Sequence, residues 1–296
     1  MPSFEEDLQS GMASKKTVRK RPVTHDDTIV IDVDDSESPS PAKRSKARAL
    51  RSEKKLEDTD KLCEFPPGVS PNVTVTLQDY KTLEHDIFLN DIIIDFYLTW
   101  LYANILSADD RPTVYIFSSM FYKRMTTDPS TKSKTAPFEK DTSLTKAQKR
   151  HLRVKGWTKN VDLFTKDLII IPICEHSHWY LVLVIRPGLI THPVDSEERS
   201  VAGEPFFIVL DSMGDNKNTA VNTVRNYLDQ EWQAKVGPNL CCFYGQYQSR
   251  VQMSSEGEVE FSAKSMRVVR PVKPEQTNYS DCGIYLLHYV EKIFNR

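Results

Sequence analysis

The chain has 296 residues, a formal charge of -2, a sequence pI of about 6.4 and 39% hydrophobic residues, enough for one large domain or two small ones with a real core. No apolar run approaches the roughly 20 residues of a membrane-spanning helix, and the opening MPSFEEDLQSG has neither the basic nor the apolar region of a secretory signal. The cysteines, Cys63, Cys174, Cys241, Cys242 and Cys282, are odd in number and irregularly spaced, which argues against a disulfide framework and for free thiols in a reducing compartment.

Residues 1–62 are rich in Lys, Arg, Asp, Glu and Ser, nearly devoid of aromatics and without a sustained period. Such a stretch cannot bury enough apolar surface to offset its ordering entropy, so it reads as a disordered tail. Two basic runs, Lys15 to Arg21 and Lys43 to Arg48, favour nuclear import over simple solvation. Between them lies TIVIDVDDSES, where the β-branched Ile29, Val30, Ile31 and Val33 are followed by Asp34, Asp35 and Glu37. That is a strand without a partner. It can add to an exposed sheet edge, with the acidic run selecting a basic rim.

From residue 63 to 296 the composition is globular. Pro66, Pro67 and Pro71 lead into NVTVTLQDY, where Val73, Val75 and Leu77 alternate as in a half-buried strand. FLNDIIIDFYLTWLYANIL then supplies Asn90 as an N-cap, Asp91 in the first turn and a long apolar run, which predicts a core helix. Lys123 to Lys155 reads as a surface loop with a short helix around Thr145 to Leu152. Three strands follow, Asp167 to Cys174, His178 to Ile185 and Pro205 to Asp211, the last two joined by a polar excursion. Their unbroken hydrophobicity implies a sheet covered on both faces. Asn218 to Val236 carries Val221, Val224, Leu228 and Trp232 at helical spacing, and a last strand is expected around Met266 to Val272. The pattern is that of an α+β layered domain.

The stretch QTNYSDCGIYLLHYVEKIF, Gln276 to Phe294, sets Cys282 where a polar run gives way to a buried helix. There the free N–H groups and the helix dipole favour thiolate over thiol. A buried cysteine alone is more often inert, so Cys282 needs a base. His178 opens one central strand and Asp211 closes the next, so an imidazole and a carboxylate can meet at one end of the sheet, the carboxylate fixing the tautomer of the base. Gln276 is placed to aim its amide at a developing oxyanion, together with backbone N–H groups near the cysteine. A rival reading binds zinc through Cys174, His176 and His178 on one strand face, but it lacks an obvious fourth ligand. His288 is expected to be a partly buried core residue of the helix; His176 is an alternative base, but two residues earlier on the strand it is expected to sit away from Cys282.

In this order, HWYLVLVI, FFIVLDSMG and QTNYSDCGIYLLHYVEKIF resemble the Ulp/SENP ubiquitin-like-protein-specific cysteine proteases, which cleave SUMO from precursors and conjugates. The resemblance extends over Val73 to Arg296, including FLNDIIIDFYLTWL and RHLRVKGWTKNVDLFTKDLIIIPI, and is greatest to the branch that trims SUMO chains. It implies a papain-like fold with a central mixed sheet flanked by helices, a triad of Cys282, His178 and Asp211, and Gln276 in the oxyanion hole. It also implies that the substrate's Gly-Gly tail is clamped between aromatics, Trp179 and, in place of a tryptophan found in many members, Phe88. TIVIDVDDSES is similar to SUMO-interacting motifs.

The chain runs only fourteen residues past Cys282, shorter than the resemblance leads one to expect, so a C-terminal packing segment is expected to be missing; the inserts of some chain-trimming members are short here. The expected activity is that of a monomeric SUMO isopeptidase without metal or cofactor, acting in the nucleus and also the cytoplasm on SUMO conjugates and poly-SUMO chains, with no membrane or specific nucleic-acid partner. A NEDD8- or ubiquitin-directed protease and a catalytically silent SUMO-chain binder are the alternatives.

Overall fold

The computed structural model describes residues 56–129, 136–191, 204–235, 259 and 261–295. The Ile29 to Val33 stretch, both basic runs, Cys241, Cys242 and residues 192–203 of the polar excursion lie outside them.

A short antiparallel pair opens the described chain, β1 (Lys61–Phe65) against β2 (Val73–Thr76). The expected strand stops at Thr76, and Leu77 instead begins the one-turn helix α1 (Leu77–Tyr80). The reason is local. Thr76 and Asp79 form a reciprocal capping box, each side chain bonding the other's backbone N–H, which outweighs the apolar alternation. Asp79 also accepts from Asn90 Nδ2 at 2.7 Å, tying α1 to the start of α2 (Asp91–Asn104). Asn90 caps α2 as expected, its Oδ1 taking the Ile93 N–H at 3.0 Å.

The strands β3 (Val114–Ile116), β4 (Leu168–Glu175), β5 (His178–Ile185), β6 (Phe206–Leu210) and β7 (Arg267–Val269) make one mixed sheet in that order. β4 and β6 each run antiparallel to the central β5, while β3 and β7 join the edges parallel to their neighbours. Between β3 and β4 come α3 (Met120–Thr126), α4 (Pro137–Lys140) and α5 (Lys146–Val154). The surface loop expected from Lys123 is therefore helical at its start, whereas α5 begins at a Thr145–Gln148 capping box where a helix was expected. α6 (Asn218–Lys235) follows β6, and α7 (Cys282–Phe294) ends the described chain.

Alternation along the strands sends side chains to two separate cores. Ile169, Ile171 and Ile173 of β4, with Tyr180, Val182 and Val184 of β5, pack against α3, α5 and α6. Ile170, Trp179, Leu181, Leu183 and Leu210 pack against α2 and α7. Covering both faces is what continuous apolar strands require, and each such buried side chain contributes about 1.5–3 kcal/mol before the ordering entropy is subtracted.

Candidate active site

β4 turns into β5 through His176 and Ser177, both with positive φ (52° and 60°), the two-residue hairpin geometry whose twist matches the strands. The turn sets His178 opposite Glu175. Along the next pair Leu181 faces Leu210, so the residue after β6, Asp211, comes level with Tyr180 and finds His178 two places further along the same face. His178 Nε2 and Asp211 Oδ1 lie 2.9 Å apart. Asp211 Oδ1 also accepts the Met213 N–H at 2.7 Å, and Lys217 Nζ sits 3.1 Å from Oδ2 as an ion pair not aligned as a hydrogen bond. Burial alone would push the Asp211 carboxyl up, but the bonds from His178 and Met213 and the nearby Lys217 ammonium outweigh it and hold the group below the ordinary carboxylate range.

α7 begins at Cys282, which is 1% exposed. Asp281, in the cap position, makes no side-chain cap bond. The His178 ring, whose Nε2 is already taken by Asp211, and the N–H groups of Trp179 and Gly283 instead lie by the sulfur and favour its charged form. Burial pushes the thiol up. The His178 bond, the two N–H groups and the imidazolium charge overcome that, and the net displacement is downward. For His178 burial disfavours the charged ring, yet Asp211 and Cys282 raise it from 6.5 to about 9. These opposite displacements both favour a thiolate beside an imidazolium, the pairing that an activated thiol with an adjacent proton donor requires. Cys174 makes the contrast, because burial chiefly drives its thiol up to about 11.

Gln276 is held by Ser212. Its backbone N–H donates to Ser212 O at 3.0 Å, and its Oε1 accepts the Ser212 hydroxyl at 2.5 Å. Nε2 donates one hydrogen to Asn278 O at 2.8 Å, so its second N–H is the one left for an oxyanion. Trp179 is buried with its indole N–H on Leu89 O at 2.8 Å, while Phe88 next to that carbonyl is 45% exposed. Gly283 permits the close approach of α7 to this segment, because a Cβ there would lie 3.0 Å from Leu89 Cβ.

Several expectations are corrected. Cys174, His176 and His178 do not share a strand face: His176 is in the turn and His178 is engaged by Asp211, so the zinc reading loses its geometry. His288 is on the outer face of α7, about half exposed, near Glu291 and lining an apolar groove with Leu83, Ile87, Ile284 and Leu287. The sequence reading missed Lys217, one of 39 lysines and arginines with no local pattern to set it apart, and Ser212. The two backbone N–H groups on the sulfur have no side-chain signature.

Comparison with known proteins gives a consistent picture. The Ulp1 protease family, C-terminal catalytic domain (peptidase C48), matches residues 87–296. Sentrin-specific protease 7 of Rattus norvegicus is 34% identical over 259 residues, spanning 77% of this chain and 24% of that protein. Probable ubiquitin-like-specific protease 2A of Arabidopsis thaliana is 33% identical over 230 residues, 77% of this chain and 26% of that one. The chain thus spans about a quarter of the length of these curated relatives. A solved structure described as a de-sumoylating protease shares the fold, with a TM-score of 0.54 at 20% identity over 80% of this chain and 73% of its own.

Proposed function

Because the chain belongs to the Ulp1 protease family, we propose that it is a thiol isopeptidase that removes SUMO from conjugated proteins and trims SUMO chains. Cys282 is the nucleophile, His178 the acid and base, Asp211 the group that orients the imidazole, and Gln276 an oxyanion donor. The sulfur attacks the carbonyl carbon of the terminal glycine of SUMO, and the oxyanion so formed is met by the free Gln276 N–H and backbone N–H groups near the cysteine. The His178 imidazolium then protonates the leaving lysine amine as the C–N bond breaks. Water, deprotonated by His178, releases the acyl-enzyme.

The observation that carries this reading is the contact of Cys282 with the His178 ring while Asp211 holds the opposite nitrogen at 2.9 Å. Phe88 and Trp179 are the aromatics that flank the glycine tail. The regulatory tail ends before β1 rather than at residue 62, because Lys61 pairs with Thr76 of β2, and the protease domain follows. Within the tail, Ile29, Val30, Ile31 and Val33 recruit SUMO and the basic runs direct the protein to the nucleus.

The test is to incubate the full chain and Cys282→Ala with poly-SUMO chains and a SUMO-conjugated protein. Shortening of the chains by the wild type alone supports the reading. Chains left intact by the wild type, or equal cleavage by the variant, overturn it.

A further inference from the structure

The contacts around Asp211 extend beyond His178 and the Met213 N–H. Its carboxylate is buried, with Oδ1 given to His178 and the Met213 N–H, so Oδ2 faces the interior without an aligned donor. A carboxylate oxygen in that position needs a counter-charge. The Lys217 ammonium supplies it at 3.1 Å, and a second carboxylate, Asp215, holds the same ammonium at 2.9 Å.

The backbone is shaped to deliver this lysine. Lys217 has φ of 46°, the left-handed region that favours glycine, and its carbonyl accepts the Val221 N–H at 3.1 Å to open α6. Its side chain, 17% exposed, lays the ammonium over the Tyr180 ring at 4.8 Å from the centroid. The Tyr180 hydroxyl donates to Glu175, and the same ring stacks near the His178 imidazole, 6.2 Å between centroids at 23°. Lys217 is thus tied to both ends of the His178–Asp211 pair.

We propose that Lys217 is a positioning residue of the catalytic site, which acts through Asp211: it fixes the carboxylate with Oδ1 toward His178 and takes up part of its charge, keeping the imidazolium acidic enough to protonate the leaving amine. The inference rests on the function proposed above. The ionisable groups around this network are Asp215 on the same loop, Glu175 of β4, Tyr180 and His178 of β5, Tyr122 of α3, and Cys282 and Tyr289 of α7. The tyrosines are all pushed above their ordinary range, chiefly by burial, so they stay neutral where His178 titrates.

The experiment follows the His178 ring by NMR across pH, assigned with His178→Gln, in the wild type, Lys217→Met and Lys217→Arg. Cleavage of a fluorogenic amide at the SUMO C-terminus is measured in parallel. Lys217→Met keeps the stem and removes the charge, so the His178 titration and the alkaline limb of cleavage should both move up by about one pH unit. Lys217→Arg should leave both in place. Should the methionine variant not fold, Lys217→Gln is read in its place, with the same shift expected. An unchanged or lowered His178 titration in the neutral variants, or an equal shift in the arginine variant, overturns the proposal. A wild type that does not cleave the SUMO amide overturns the functional reading instead, and the NMR titration still decides the role of Lys217.

Discussion

His178 Nε2 and Asp211 Oδ1 lie 2.9 Å apart, joining the first residue of β5 to the residue just past the end of β6. The bond leaves the other ring nitrogen for Cys282 and fixes which nitrogen faces the sulfur. The first prediction concerns this bond.

Asp211→Asn keeps the shape of the side chain but removes its charge and its claim on the His178 proton. By analogy with hydrolase triads in which the carboxylate sets the tautomer, kcat on a SUMO amide should fall roughly 10³- to 10⁴-fold. Steady-state kinetics on the folded variant checks this, and a loss below tenfold would remove Asp211 from the mechanism.

Activity should depend on pH as an ion pair does. Cys282 is displaced downward and His178 is raised to about 9, so turnover should rise as the thiol ionises below its ordinary range and fall as the imidazolium loses its proton near pH 9. Because Cys282 is one of the groups that raise His178, Cys282→Ala should lower the His178 titration, read by NMR. The sign for stability follows. A histidine raised above its ordinary 6.5 contributes stability that is complete below about pH 6.5 and is lost as pH climbs through about 9.

Substitutions at Phe88 and Gly283 should separate the proposed substrate contact from folding. Phe88 is 45% exposed, so Phe88→Ala should alter stability by less than about 0.5 kcal/mol while lowering kcat/KM for SUMO substrates. Gly283→Ala should do the reverse in part, because the new Cβ presses on Leu89 at 3.0 Å and disturbs the carbonyl that holds Trp179. A loss of about 1 kcal/mol in urea unfolding is expected together with slower turnover.

Far from the cysteine, Glu231 accepts from Thr158 at 2.6 Å and pairs with His151 at 2.6 Å and Lys235 at 2.8 Å, with only 1% of its side chain exposed. Burial raises its carboxyl, but these partners overcome that and lower it, so its contribution is present above about pH 4.5 and is lost on acidification. Glu231→Ala should cost about 3 kcal/mol at pH 7 in urea unfolding and less at pH 4.

Where one kind of signal governed a segment, the sequence was readable. β5 begins and ends at the expected His178 and Ile185, because nothing local competes with its apolar run, and Asn90 caps α2 because the residues after it have no other use for its carboxamide. Leu77 went the other way once Thr76 and Asp79 capped a turn against the alternation. His288 was read as core from helical spacing, but the α2 face of α7 is filled by Leu286, Leu287 and Val290, leaving the histidine outside. The meeting of His178 with Asp211 was legible as neighbouring strand ends. Lys217 was not, since it depends on a left-handed backbone in a polar turn that no spacing announces.

The most direct test of the central claim is covalent trapping. The full chain and Cys282→Ala are exposed to SUMO, ubiquitin and NEDD8, each bearing an electrophile at its C-terminal glycine, and any adduct is mapped by peptide mass. The account predicts a SUMO adduct on Cys282 that is absent from the variant. An adduct surviving in Cys282→Ala, one formed only with ubiquitin or NEDD8, or none with any probe would contradict it.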